Sequence, residues 1–232
     1  MRSILYLIVL ITPLTTNAQI TNSEFGNWIM VFNQTRLHEK WSLHSEAQFR
    51  SYSLDPNTEQ ILLRGGVNFH LNKSVVFTGG YGWITNYAND GEVIKDQHTE
   101  EHRTWQQTSL KSNYGRVQIE HRYRLEQRWI NNYKTINYKD RIRYLLRATI
   151  PFNKKDLVKN TLFASFYNEL FIHFQNEPFD RNRLYGALGF QFTNKSNIQL
   201  GYLAQTVNKT TKHYLQIAVN YNIDFRKKDL NQ

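Results

Sequence analysis

The chain has 232 residues, no cysteine and a formal charge of +10 at neutral pH. The lack of cysteine excludes disulfides and thiol chemistry, so only backbone pairing and packing can hold the fold. A basic balance suits nucleic acid or an anionic surface, but an export leader and arginines that alternate within segments, not clustered in a tail, weigh against nucleic acid.

The leader comes first. Arg2 supplies a positive start, Ile4–Leu14 an apolar run, and Thr16-Asn17-Ala18 a small-residue cleavage site. That order reads as a secretory signal peptide over residues 1–18, cut before Gln19. The apolar run is shorter than the roughly 20 residues a spanning helix needs. Residues 19–232 then form a single domain.

Eleven segments follow with strand periodicity. Gly26–Thr35 carries Trp28, Met30 and Phe32 on one face. Trp41–Tyr52 sets Trp41, Leu43, Ala47 and Phe49 against His44, Glu46, Gln48 and Arg50, and Asp55-Pro56-Asn57 breaks the chain. Gln60–Leu71 and Val75–Tyr87 form a hairpin around Asn72-Lys73-Ser74, which pairs Phe69 with Phe77 and Leu63 with Trp83. Gly65, Gly66, Gly79, Gly80 and Gly82 lie within it and mark bends or close approach. Ala88–Gln97 is a long polar loop.

Glu100–Asn113 returns through Tyr114-Gly115 into Arg116–Ile130, the segment that decides the architecture. One of its faces carries Val117, Ile119, His121, Tyr123, Leu125, Gln127 and Trp129; the other carries Glu120, Arg122, Arg124, Glu126 and Arg128. Only a period of two separates them so. Pairing Asn113 with Arg116 sets Arg103 opposite Glu126, Glu101 opposite Arg128 and Thr108 opposite His121. After a loop at Asn131–Lys139, Arg141–Phe152 turns Arg141, Arg143 and Arg147 one way and Ile142, Tyr144 and Leu146 the other. Thr161–Phe174, Arg181–Thr193, Asn197–Thr206 and His213–Phe225 complete the series, with a turn over Asn176–Asp180 between the first two.

A dense face of mixed charge opposite an apolar face is the pattern of a membrane barrel with a polar lumen. An arginine or lysine on the lipid side would cost about 2–4 kcal/mol at the bilayer midplane, so the charges point inward. The reading is an all-β, antiparallel up-and-down transmembrane β-barrel of 10–12 strands in the outer membrane. Bacterial single-chain barrels have even counts, which turns eleven segments into an expected 10 or 12. With the C-terminus in the periplasm, Ala88–Gln97 and Asn131–Lys139 fall outside and the Lys73 and Gly115 turns inside. The connection before His213 counts among the longer ones. Expected partners are outer-membrane lipids and lipopolysaccharide, and the barrel assembly machinery.

The inward set comprises Arg103, Glu120, Arg122, Arg124, Glu126, Arg128, Arg141, Arg143, Glu169, Arg181 and Arg183, with Arg64 and Arg147. It reads as a structural ion-pair network in preference to an anion-favouring pore or a site for a small anionic solute. Glu169 stands alone in an apolar run and needs a partner, expected in Arg181 or Arg183. Three alternatives stay open: a small pore, a lipid hydrolase using His121 with Thr108 and Gln106 on the lipid face, and a soluble exported barrel binding an anion. The absence of a GxSxG-type motif weighs against an enzyme. His98 and His102 flank two glutamates without metal-site spacing, and no cofactor motif is present.

The run His121–Trp129, HRYRLEQRW, resembles the domain of unknown function 2490 family. Glu101-x-Arg103-x-Trp105, Tyr167–Phe171 and Asp180–Tyr185 extend the likeness over the chain beyond the leader. The resemblance implies an outer-membrane β-barrel of Gram-negative bacteria and no established activity.

Overall fold

The computed structural model describes residues 25–226, except Pro56, 89–97 and Asn176. The signal-peptide reading, the start at Gln19, nearly all of the Ala88–Gln97 loop and the tail beyond Arg226 lie outside the described residues.

Period-two alternation resolves into eleven strands: β1 (Phe25–Arg36), β2 (Trp41–Ser51), β3 (Thr58–His70), β4 (Val75–Tyr87), β5 (His98–Tyr114), β6 (Val117–Asn131), β7 (Ile136–Pro151), β8 (Thr161–His173), β9 (Phe179–Thr193), β10 (Ser196–Val207) and β11 (Thr210–Asp224). Each pairs antiparallel with the next, and β1 closes the barrel against β11. The closing pair is parallel and runs from Phe25 opposite His213 to Arg36 opposite Asp224. An odd meander can close only in this way, because its first and last strands point in the same direction. The expectation of 10 or 12 strands from parity is therefore corrected to the eleven that periodicity marks out.

The walls alternate as the pattern requires. Register partners read across the sheet as Ser42, Asn68, Thr78, Gln107, Arg124, Arg143, Phe171 and Arg181, all inward. Ile29, Leu43, Leu63, Phe77, Leu125, Phe166, Leu188 and Leu200 are exposed on the outside. The polarity of a water-soluble fold is inverted: Arg64, Arg103, Arg124, Glu126, Arg141, Arg143 and Glu169 are buried. The β5 outer face is the exception, with His102 and Gln106 exposed and Thr104 and Thr108 partly so.

The β3–β4 register matches the sequence, with Phe69 opposite Phe77 and Leu63 opposite Trp83. The glycines there admit an aromatic ring. A Cβ on Gly80 would overlap the Gly65 carbonyl and the Trp105 indole, whereas one on Gly79, on the outer face, would meet nothing within 4 Å.

The β5–β6 register differs. Tyr114 pairs with Val117 around Gly115-Arg116, and Gly115 takes φ 61°. Glycine reaches that conformation without strain, so the turn centres one residue later than expected. The faces are unchanged, but each pairing slides by two. The Asn131–Lys139 loop contracts to residues 132–135, since β6 and β7 continue past their regular alternation. The connection before His213 likewise shrinks to Asn208-Lys209, at φ 46° and 67°. Positive φ at both central residues suits a two-residue hairpin.

Candidate functional site

The interior is built around Glu126 at the middle of β6, fully buried at 0% exposure. Its carboxylate accepts from Arg141 Nε and Arg143 Nη1, both at 2.7 Å, and from Arg103 Nη1 at 3.3 Å. Arg124 and Arg64 stand at 3.8 and 3.9 Å. Arg64 belongs to β3, so this contact reaches across β4 and β5. Buried charge is tolerated only when paired and hydrogen-bonded, and Glu126 meets that condition with five arginines.

Glu169 on β8 forms a second node. It accepts from Arg122 Nη2 at 2.7 Å and Arg143 Nη2 at 2.6 Å, with Arg183, its direct register partner, at 3.5 Å. Of the two expected partners Arg183 stands beside it. Arg181 instead binds the neighbouring Asp180 at 3.2 Å, because the β8–β9 bulge at Phe171/Ile172 shifts the strand end. Asn168, next to Glu169, faces outward and pairs with Asn182. Arg143 thus links Glu126 to Glu169, and Arg141 links Glu126 to Asp180 at 2.5 Å. Glu101 accepts from Arg128 at 2.7 Å and Arg103 at 2.5 Å. Arg147 meets Glu120 at 3.2 Å.

The slid register explains how the expected pairs persist. Arg103 lies opposite Arg128, and Trp105 opposite Glu126. Arg103–Glu126 and Glu101–Arg128 form diagonally, within reach of long side chains. Asp180, expected in a turn, joins the network as the first inward residue of β9 and is 8% exposed.

A comparison with protein families matches residues 25–216, nearly the whole barrel, to the family described as protein of unknown function (DUF2490). The chain belongs to this family. An uncharacterized protein of Methylorubrum extorquens is 28% identical over 155 residues, 64% of each chain. The chain therefore spans 64% of the length of that curated relative. No solved structure matches.

The lumen of this DUF2490 barrel has a second wall of a different character. Trp28, Met30, Tyr185, Ala187, Leu203, Tyr214 and Ala218, from β1 and β9–β11, form a buried apolar cluster, with Phe32 and Tyr167 packed on it. The alternation of β1 shows that Trp28, Met30 and Phe32 share a face; an apolar face is expected outside, yet this one faces inward. The reason lies in the arginines beside it. The Arg50 guanidinium sits 3.6 Å from the centre of the Trp28 ring, and that of Arg183 sits 4.7 Å from it. Phe171 receives Arg143 at 4.3 Å and Arg183 at 4.6 Å, and Trp105 receives Arg124 at 4.7 Å. Weakly hydrated, planar guanidinium groups stack well on rings, so the aromatics serve as the dry side of an ionic interior. A cavity of about 590 Å³ lies between the two walls.

The DUF2490 barrel does not bring His121 and Thr108 together as expected. His121 pairs with Leu110, and Thr108 with Tyr123. His121 Nδ1 shares a hydrogen bond of 2.8 Å with Tyr144 Oη on β7. Gln106 bonds to Gln127 at 3.2 Å and not to the histidine. The hydroxyl–imidazole–amide array that hydrolysis would need is absent among these three. Among the described residues no group of His, Asp and Glu is placed to hold a metal ion.

Proposed function

We propose that this DUF2490 protein is an outer-membrane β-barrel, exported through a cleaved leader, whose ion-paired lumen braces it as a structural element of the envelope. The observation that carries the reading is the inverted polarity, with Glu126 at 0% exposure inside and Leu188 at 67% outside. Soluble monomers rarely expose apolar patches beyond a few hundred Å², and here large hydrophobics ring the outside. Lipid would cover them, with lipopolysaccharide and the assembly machinery as the other partners. Strands of 11–17 residues reach or exceed the roughly 9–11 that a tilted strand needs to cross.

Bracing is favoured over an open pore because side chains inside the lumen bridge strands that have two others between them, from Arg64 on β3 to Glu126 on β6 and from Arg183 on β9 to Trp28 on β1. The lumen keeps a cavity of about 590 Å³. Any current through it would favour anions, given the surplus of arginine.

The test combines membrane extraction with bilayer recording. The protein is expected to stay with membranes through carbonate washing, to shift its gel mobility on heating, and to give no large conductance steps. Release by carbonate would refute the location, and porin-sized steps would refute the bracing.

A further inference from the structure

The ionic network leaves one region of the lumen over-supplied with positive charge. Arg50 is 4% exposed, its side chain makes no hydrogen bond among the described residues, and Glu59 stands 3.9 Å from it. Its Nε is buried without a partner among the described residues. Arg183 spends its Nε on the neutral amide of Gln205 at 2.9 Å. Its Nη1 stands 3.5 Å from Glu169 Oε2, a loose pair beside the short bonds that Arg122 and Arg143 make to Oε1 of the same carboxylate. Beside them Gln216, 3% exposed, has an Oε1 with no donor among the described residues. All three side chains line the cavity. A buried guanidinium short of acceptors is costly, and Arg50, with the loosely paired Arg183 at the same ring, is an incomplete arrangement that an oxyanion would complete.

The cavity has a second property. Beyond Trp28 its lining turns to Met30, Phe32, Tyr185 and Ala218. A bare inorganic anion would satisfy the arginines and leave this wall against water. Its volume, about 590 Å³, falls within the range of roughly 300–1,000 Å³ typical of small-molecule sites. Both guanidinium groups already lie against Trp28, at 3.6 and 4.7 Å from its centre, which lowers the ordering cost of binding.

We infer that the lumen binds a small amphipathic organic oxyanion, with its carboxylate or phosphate head between Arg50 and Arg183 and its apolar body along Met30, Phe32 and Tyr185. A hydroxyl on the ligand would donate to Gln216. The inference gives the braced lumen an occupant and is independent of what surrounds the barrel, so its failure would leave the membrane and conductance results untouched.

The experiment is titration calorimetry on the folded full-length barrel in non-ionic detergent, with phenyl phosphate, inorganic phosphate and benzyl alcohol as separate probes. Phenyl phosphate is expected to bind at one site, at least tenfold tighter than either other probe. Arg50→Met, which removes charge at similar length, is expected to weaken it at least tenfold, while Arg116→Gln at the exposed turn leaves it unchanged. If Arg50→Met does not fold, Arg183→Met is judged by the same criterion. The wild-type ranking decides the matter independently of both. Failure of the wild-type protein to saturate with phenyl phosphate would overturn the inference. So would equal binding of inorganic phosphate, equal binding of benzyl alcohol, or full affinity in the folded Arg→Met variant.

Discussion

Glu126→Gln keeps the shape of the central side chain and removes its charge. Arg141 and Arg143 at 2.7 Å and Arg103 at 3.3 Å lose the acceptor they share, and the new amide presents N–H groups to guanidinium donors. Removing one partner of a buried ion pair costs about 3–5 kcal/mol. Glu126 has no exposed surface for water to replace the lost contacts, so the expected loss lies near the upper end of that range, about 4–5 kcal/mol. With a urea dependence of about 2 kcal/mol per molar, the unfolding midpoint should fall by roughly 2 M. Tryptophan fluorescence of the barrel in detergent or vesicles reads this directly. The control is Lys195→Gln, which breaks a pair 3.7 Å long whose lysine is 53% exposed; exposed pairs contribute about 0–1 kcal/mol. If Glu126→Gln moved the midpoint no further than Lys195→Gln, the lumen would be neutralised by water and ions and the bracing argument would be wrong.

Adjacent glycines should behave oppositely. Gly80→Ala drives its Cβ into the Gly65 carbonyl and the Trp105 ring, for an expected loss of about 1–3 kcal/mol, whereas Gly79→Ala meets nothing and should be neutral or slightly stabilising, both read by urea unfolding. Leu188→Arg, at the middle of the β9 outer face, should cost about 2–4 kcal/mol for folding into vesicles; a change within 0.5 kcal/mol would mean that face meets water. Wild-type protein and His121→Ala should both leave vesicle phospholipid intact in a fatty-acid release assay, since the imidazole is committed to Tyr144; release that depended on His121 would restore the hydrolase reading.

Much of the architecture is legible in the sequence because barrel strands obey a single rule, alternation, which β6 displays without interruption. Which residues share a face follows from period two, so Arg122, Arg124, Glu126 and Arg128 are read inward correctly. Pairing is harder. The β5–β6 slip of two residues leaves every face unchanged, so no hydrophobic pattern betrays it; only the need of Gly115 for positive φ could have moved the turn. That slip separates His121 from Thr108. The β3–β4 register was accessible because its loop length and two apolar faces agree. The aromatic wall was not: β1 is apolar on both faces, with Trp28 and Met30 inward and Ile29 and Val31 outward. Alternation cannot say which of two greasy sides is the interior. Asp180 was hidden for another reason, since an acidic residue beside Pro178 looks like part of a turn until the strand is seen to begin at Phe179.

The parallel contact between β1 and β11 fixes where the chain ends can be joined. In an even-numbered meander the termini emerge at the same rim, and a short turn suffices to make a circular permutant. Here Phe25 and Asp224 leave from opposite rims, so any linker joining them must run the full height of the barrel along its wall. A turn of a few residues from Asp224 to Phe25 is therefore geometrically barred, and labels placed at these two positions sit at opposite rims of the barrel.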